Sequence, residues 1–145
     1  MTSIKRPLAA AGAAVLMGLT LTACGGSSPT DASKDDFCGS FKDIVSTTTS
    51  VKGDEPNEDE WKKIQKSYED LGEVGTPKGI GDDERKGFEA MVDAISGLDY
   101  KDAKKAFGDK DGSSSVPGVS KDDEDNIEKF TKYVGTTCAD ALSGS

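Results

Sequence analysis

The chain has 145 residues, with 18 Lys and Arg against 27 Asp and Glu, a net charge of −9 and no His. An acidic balance of this size repels polyanions and excludes nucleic-acid binding. The missing imidazole removes the commonest general base and the commonest metal ligand, so Ser-His-Asp and Cys-His arrangements are excluded as well.

The first element is a leader. Lys5 and Arg6 precede an uncharged run, residues 8–21, rich in Ala, Leu and Val, and small residues follow at Thr22 and Ala23. That order of basic, apolar and small segments is the pattern of a secretory signal. The run is about 14 residues, short of the roughly 20 needed for a spanning helix. Leu21, Thr22, Ala23 and Cys24 resemble the lipobox of bacterial lipoproteins, an aliphatic residue and two small ones before an invariant Cys. The resemblance implies cleavage of residues 1–23 between Ala23 and Cys24. It also implies a diacylglyceryl group on the Cys24 thiol and acylation of the new amino terminus. Two or more acyl chains hold a protein stably on a bilayer. Loss of Lys5 and Arg6 with the leader leaves 16 basic and 27 acidic residues, net −11.

Residues 24–34, beginning with lipidated Cys24 and Gly, Gly, Ser, Ser, are expected to be a flexible tether. Residues 35–145 then show helical spacing of apolar positions, and strand alternation is almost absent. The first helix carries Phe37, Phe41, Ile44 and Val45 on one face, with Ser33 and Asp36 placed to cap it. Its end is expected to fray at Thr47, Thr48 and Thr49, which are β-branched. In the second, Asn57 and Glu60 have capping-box spacing ahead of the stripe Trp61, Ile64, Tyr68 and Leu71, and Gly72 or Gly75 ends it.

A Gly/Pro loop at 76–79 leads to a third helix. It opens on Asp82, Asp83 and Glu84, suited to the positive end of the helix dipole, and its stripe is Phe88, Met91, Val92 and Ile95. After Gly97, Asp99 is placed to cap a short fourth helix with Tyr100, Ala103, Ala106 and Phe107. Residues 108–118 read as a loop. The last helix starts at Ser120 and buries Ile127, Phe130, Val134, Cys138 and Leu142, with a bend expected at Gly135. The fold class is therefore all-α, a small bundle of four to five helices.

After Cys24 only 34 of the 121 residues are apolar, about 28%, thin for a globular domain. A covalent staple is available. With Cys24 lipidated, Cys38 and Cys138 remain in a chain sent to an oxidising compartment, and two thiols allow one pairing. That bond requires the first and last helices to lie side by side. A loop of about 100 residues closed this way adds up to about 4.7 kcal/mol in the chain-entropy model. Neither Cys-x-x-Cys nor a thiolate metal spacing is present.

No constellation points to catalysis. Paired carboxylates are plentiful, but they sit in first turns and polar loops. Asp109, Lys110, Asp111 and Gly112 have an EF-hand flavour, but with Gly112 at the sixth loop position Phe107 and Gly118 fall on the terminal ligand positions, which excludes the motif. Asp122, Asp123, Glu124 and Asp125 read as favourable charges at a helix start. The aromatics Trp61, Tyr68, Tyr100 and Tyr133 lie near the apolar stripes. Trp61 opens its helix, so its indole is a candidate for surface contact. The loop at 113–118 is a second candidate, because exposed loops on rigid scaffolds carry recognition.

With its lipobox, its Gly/Ser segment and a Cys pair bracketing a helical domain, the chain resembles small lipoproteins of actinobacterial-type Gram-positive bacteria. The resemblance implies location and modification: the extracytoplasmic face of the cell membrane, with membrane lipid met through the acyl chains on Cys24. It implies no activity. The expected function is a non-enzymatic helical module, without cofactor or metal, that binds an envelope protein or a small ligand. The alternative is a carrier holding an apolar ligand between helices, and an enzyme comes third. A carrier predicts a continuous apolar cavity of several hundred cubic ångströms, a partner-binding module a filled interior and an exposed apolar patch, and an enzyme convergent carboxylates in a cleft with perturbed pKa values.

Overall fold

The computed structural model describes residues 28–53, 55–108 and 118–143, with Phe107 and Gly108 described by their backbone alone. The leader, the lipobox with Cys24, residues 25–27 and the loop at 109–117 lie outside the described residues. The described residues form six helices: α1 (Lys34–Thr49), α2 (Glu58–Val74), α3 (Asp82–Gly97), α4 (Tyr100–Gly108), α5 (Lys121–Thr137) and α6 (Ala139–Ser143). Among the described residues there is no strand, only an isolated bridge between Ala32 and Pro77.

The helix starts follow from short polar side chains that satisfy the orphan N–H groups of a first turn. The Ser33 hydroxyl accepts from the Asp36 N–H at 3.0 Å. Asn57 Oδ1 accepts from the Glu60 N–H at 3.0 Å while Glu60 accepts from the Asn57 N–H at 2.9 Å, completing a capping box. Ser120 and Asp123 form the same reciprocal pair at α5. Asp99 Oδ1 caps α4 through the Asp102 N–H. α1 ends at Thr49, the last residue of the Thr run, and the hydroxyls of Thr48 and Thr49 donate to the carbonyls of Ile44 and Val45, each at 2.8 Å.

Four helices pack up and down. α1 lies against α2, α2 against α3 and α3 against α5, the most extensive pairing, while α5 and α6 close back onto the start of α1. One end of the bundle holds the start of α1, the end of α2, the start of α3 and the end of α5. The opposite end holds the turn after α1, the start of α2, the end of α3, α4 and Ser120. Cys38 in α1 and Cys138, just past α5, are disulfide-bonded with Cα atoms 5.3 Å apart, joining the first helix to the last two. α5 runs as a helix from Lys121 to Thr137, through Gly135, and is interrupted at Cys138, the residue tied to α1.

The core at the disulfide end is aromatic. Phe37, Phe88 and Phe130 are wholly buried, and the Phe130 ring meets Phe37, Phe41 and Phe88 with centroids 5.5–6.3 Å apart. Tilted and edge-to-face pairs of this kind add about 0.5–1.5 kcal/mol each beyond area burial. Ile44, Leu71, Val92, Val134 and the Cys pair complete this cluster. A smaller cluster at the opposite end joins Trp61, Ile64, Leu98 and Ala103. Tyr68 packs against both clusters, and burial pushes its hydroxyl pKa up. Val45, expected on the buried face of α1, is 43% exposed. It lies seven residues beyond Cys38 on the same flank, and α5 covers only the first turns of α1.

Gly87 explains the close fit of α3 to α5. A Cβ there would lie 2.1 Å from the Asn126 carbonyl oxygen, so only hydrogen allows the two backbones to approach so closely.

Candidate functional site

Trp61 is not a surface residue. It is 3% exposed, and its indole N–H donates to the Leu98 carbonyl at 3.0 Å. Gln65, one turn on, sends its amide to the carbonyls of Ser96 at 3.1 Å and Leu98 at 2.8 Å. Together they satisfy carbonyls that the end of α3 leaves without intrahelical donors. A buried Trp must find an acceptor for its N–H, and here the α3 terminus supplies it. The aromatic expected at an interface is thus an internal clasp between α2 and α3. Of the other expected contact segment, residues 113–118, only Gly118 is described.

Beside this clasp an open groove of about 500 Å³ runs along the outer side of α3. Ala90, Ala94, Gly97, Leu98 and Val119 make its apolar lining, and Lys86, Glu89, Asp93 and Asp123 add charged groups. Two further recesses, at the α1–α2 turn and beside the start of α1, are also open. Asp59, Glu60 and Lys63 stand in the first, and Asp35, Asp36 and Asp43 in the second. None of the three is an enclosed apolar chamber. Among the described residues Val45 is the one large apolar side chain classed as exposed, so the broad apolar patch expected of a partner-binding module is not formed by them.

Several carboxylates have displaced pKa values, all downward. A backbone N–H from Asn57 holds Glu60 below the usual carboxylate range. Hydrogen bonds from Ser120 do the same for Asp123. The Lys129 ammonium lowers Asp83, and Lys132 lowers Glu128. A general acid needs the opposite displacement. These are the signatures of caps and ion pairs. Among the described residues no three Asp, Glu, Cys or His side chains are grouped to hold a metal, and no helix is long and apolar enough to cross a membrane.

The most elaborate polar arrangement involves residues expected to be tether. Residues 28–33 lie against the turn between α2 and α3. The Thr76 N–H donates to the Pro29 carbonyl at 2.9 Å, and the Ala32 N–H donates to the Thr76 carbonyl at 3.2 Å. Arg85 sends Nη1 to the Pro29 carbonyl at 2.8 Å and to the buried Thr76 hydroxyl at 2.6 Å, and Nη2 to the Ser28 carbonyl. Glu89 orients the fork, accepting from Nε at 2.9 Å and lying 2.8 Å from Nη2, while the guanidinium carbon sits 5.5 Å from the centre of the Phe88 ring. Gly75, at φ +78°, completes the seat, because a Cβ there would lie 2.2 Å from the Pro29 oxygen.

The tether reading of residues 28–34 is therefore corrected. Backbone hydrogen bonds and Arg85 order residues 28–33, and Lys34 already begins α1. One signal in the sequence pointed this way. Arg85 is the single Arg after the leader, against 15 Lys, and its planar fork suits several carbonyls at once.

No protein-family model, no curated protein and no solved structure matches this chain.

Proposed function

We propose that the protein is a lipid-anchored, extracytoplasmic helical module that binds another protein of the cell envelope without catalysing a reaction. The observation that carries the extracytoplasmic part of this reading is the Cys38–Cys138 bond, which closes a separation of 100 residues. A buried disulfide in a small helical domain belongs to an oxidising compartment. The lipobox at Leu21, Thr22, Ala23 and Cys24 independently sends the chain to the same side of the membrane. The described residues form no broad apolar patch, so the binding surface in this reading is the groove along α3, with small apolar side chains beside mixed charge.

The anchor is tested by Cys24→Ser in the full chain. Loss of acyl mass and release from the membrane fraction are expected, and unchanged membrane retention would overturn the reading. The binding face is tested by a photo-crosslinking residue at Ala94 in cells, with the same probe at exposed Lys62 as control. A discrete adduct at Ala94 alone is expected, and equal or absent crosslinking at both positions counts against the groove.

A further inference from the structure

We infer that residues 28–33 are a docked strap that seats the disulfide end of the bundle against the bilayer. The inference rests on acylation of Cys24 and adds a geometry to it. From Cys24 to Ser28 there are four residue steps, which span at most about 14 Å when fully extended. A free tether from Cys24 to Lys34 would reach about 35 Å. Docking therefore removes more than half of the reach and fixes where the chain enters the domain.

The seat is specific. Thr76 is fully buried and engaged through its N–H, its carbonyl and its hydroxyl. Arg85 bridges Ser28, Pro29 and Thr76. The strap thus binds the end of α2 and the start of α3. Because the helices pack up and down, α4, Leu98 and Ser120 occupy the far end. A partner approaching from outside the cell would meet α4 and the end of α3 first. Release of the strap would free the domain to rise and tilt.

The experiment uses the full acylated chain in liposomes and on supported bilayers. Amide hydrogen exchange reads the strap. Ala32 and Thr76 should exchange at least tenfold more slowly in the native protein than in Arg85→Ala or Gly75→Ala, with α3 and α5 equally protected in all three. The second variant introduces a side chain where Pro29 sits, so it displaces the strap by a different route. Circular dichroism confirms that both variants remain helical. Neutron reflectometry then reads the stand-off. The inner edge of the native domain should lie within about 14 Å of the acylated residue, and the variants should show a wider, more diffuse gap.

Fast exchange at Ala32 in the native protein overturns the strap while leaving the anchor intact. An unchanged gap in variants with fast exchange overturns its role in stand-off. Absence of acyl mass overturns the anchor and the stand-off together, with slow exchange at Ala32 showing that docking itself survives.

Discussion

The two ends of the bundle are built differently. At the disulfide end, Phe37, Phe88 and Phe130 are wholly buried, a covalent bond ties α1 to the α5–α6 junction, and a strap covers the α2–α3 turn. At the opposite end four buried residues suffice, and among the described residues α4 packs against α2. There the load falls on hydrogen bonds from Trp61 and Gln65 to the end of α3. A chain with few apolar residues has concentrated them where the backbone is also crosslinked. The other end is left thinner, and local opening is cheapest where buried apolar contact is least.

The sharpest way to break this contrast is at Phe130. Phe130→Ala removes a ring that touches three others and should cost about 3–5 kcal/mol, lowering protection from exchange in α1, α3 and α5 together. A loss confined to α5 would show that the aromatic cluster is not a single cooperative unit. Removing the crosslink by Cys38→Ser with Cys138→Ser should cost about 2–5 kcal/mol, read as a lower denaturant midpoint.

Gly87→Ala tests the fit of α3 to α5. It should destabilise by about 1–3 kcal/mol, because the added methyl meets the Asn126 carbonyl rather than a movable side chain. Gly135→Ala is the control, a helix-interior position with nothing within 4 Å of the new Cβ, and should stabilise by about 0.5–1 kcal/mol. At the thin end, Trp61→Phe should cost about 1 kcal/mol and raise exchange in α4 first, since Gln65 still donates to the Leu98 carbonyl.

The smallest effect is electrostatic. Asp83, Glu60 and Asp123 have folded-state pKa values below their unfolded ones, so their ionised forms favour folding. Their contribution is complete at neutral pH and is lost as pH falls through and below the usual carboxylate range. Lys129, raised by Asp83, contributes until pH rises through the usual Lys range. Asp83→Asn should flatten the acid side of the stability profile, with little change in slope between pH 6 and 8 expected on about these pKa ranges.

Much of the architecture was legible because its causes are local. A capping box needs two residues three apart, so Asn57 with Glu60 could be read directly, as could Ser33 and Asp99. The apolar stripes at Trp61, Ile64, Tyr68 and Leu71 follow from helical period. The Cys38–Cys138 bond followed from having two thiols left to pair once Cys24 was assigned to lipid.

The candidate site was less legible. Trp61 looked accessible because it opens a helix, and only the arrival of the α3 terminus 37 residues later buries it. Gly87 gave no sign of its role, since a glycine in a helix shows its purpose only when another backbone lies beside it. Residues 28–33 have the composition of a spacer, and their order comes from Thr76 and Arg85, far along the chain.

Sequence by itself determined the helical spacing, the capped starts of α1, α2, α4 and α5 and the pairing of Cys38 with Cys138, because each depends on neighbours or on counting. Tertiary structure alone decided which flank of α1 stays open at Val45, why Gly87 must lack a side chain, and that a polar segment is clasped by Arg85. Those outcomes depend on distances between helices, and a linear pattern of residues does not contain them.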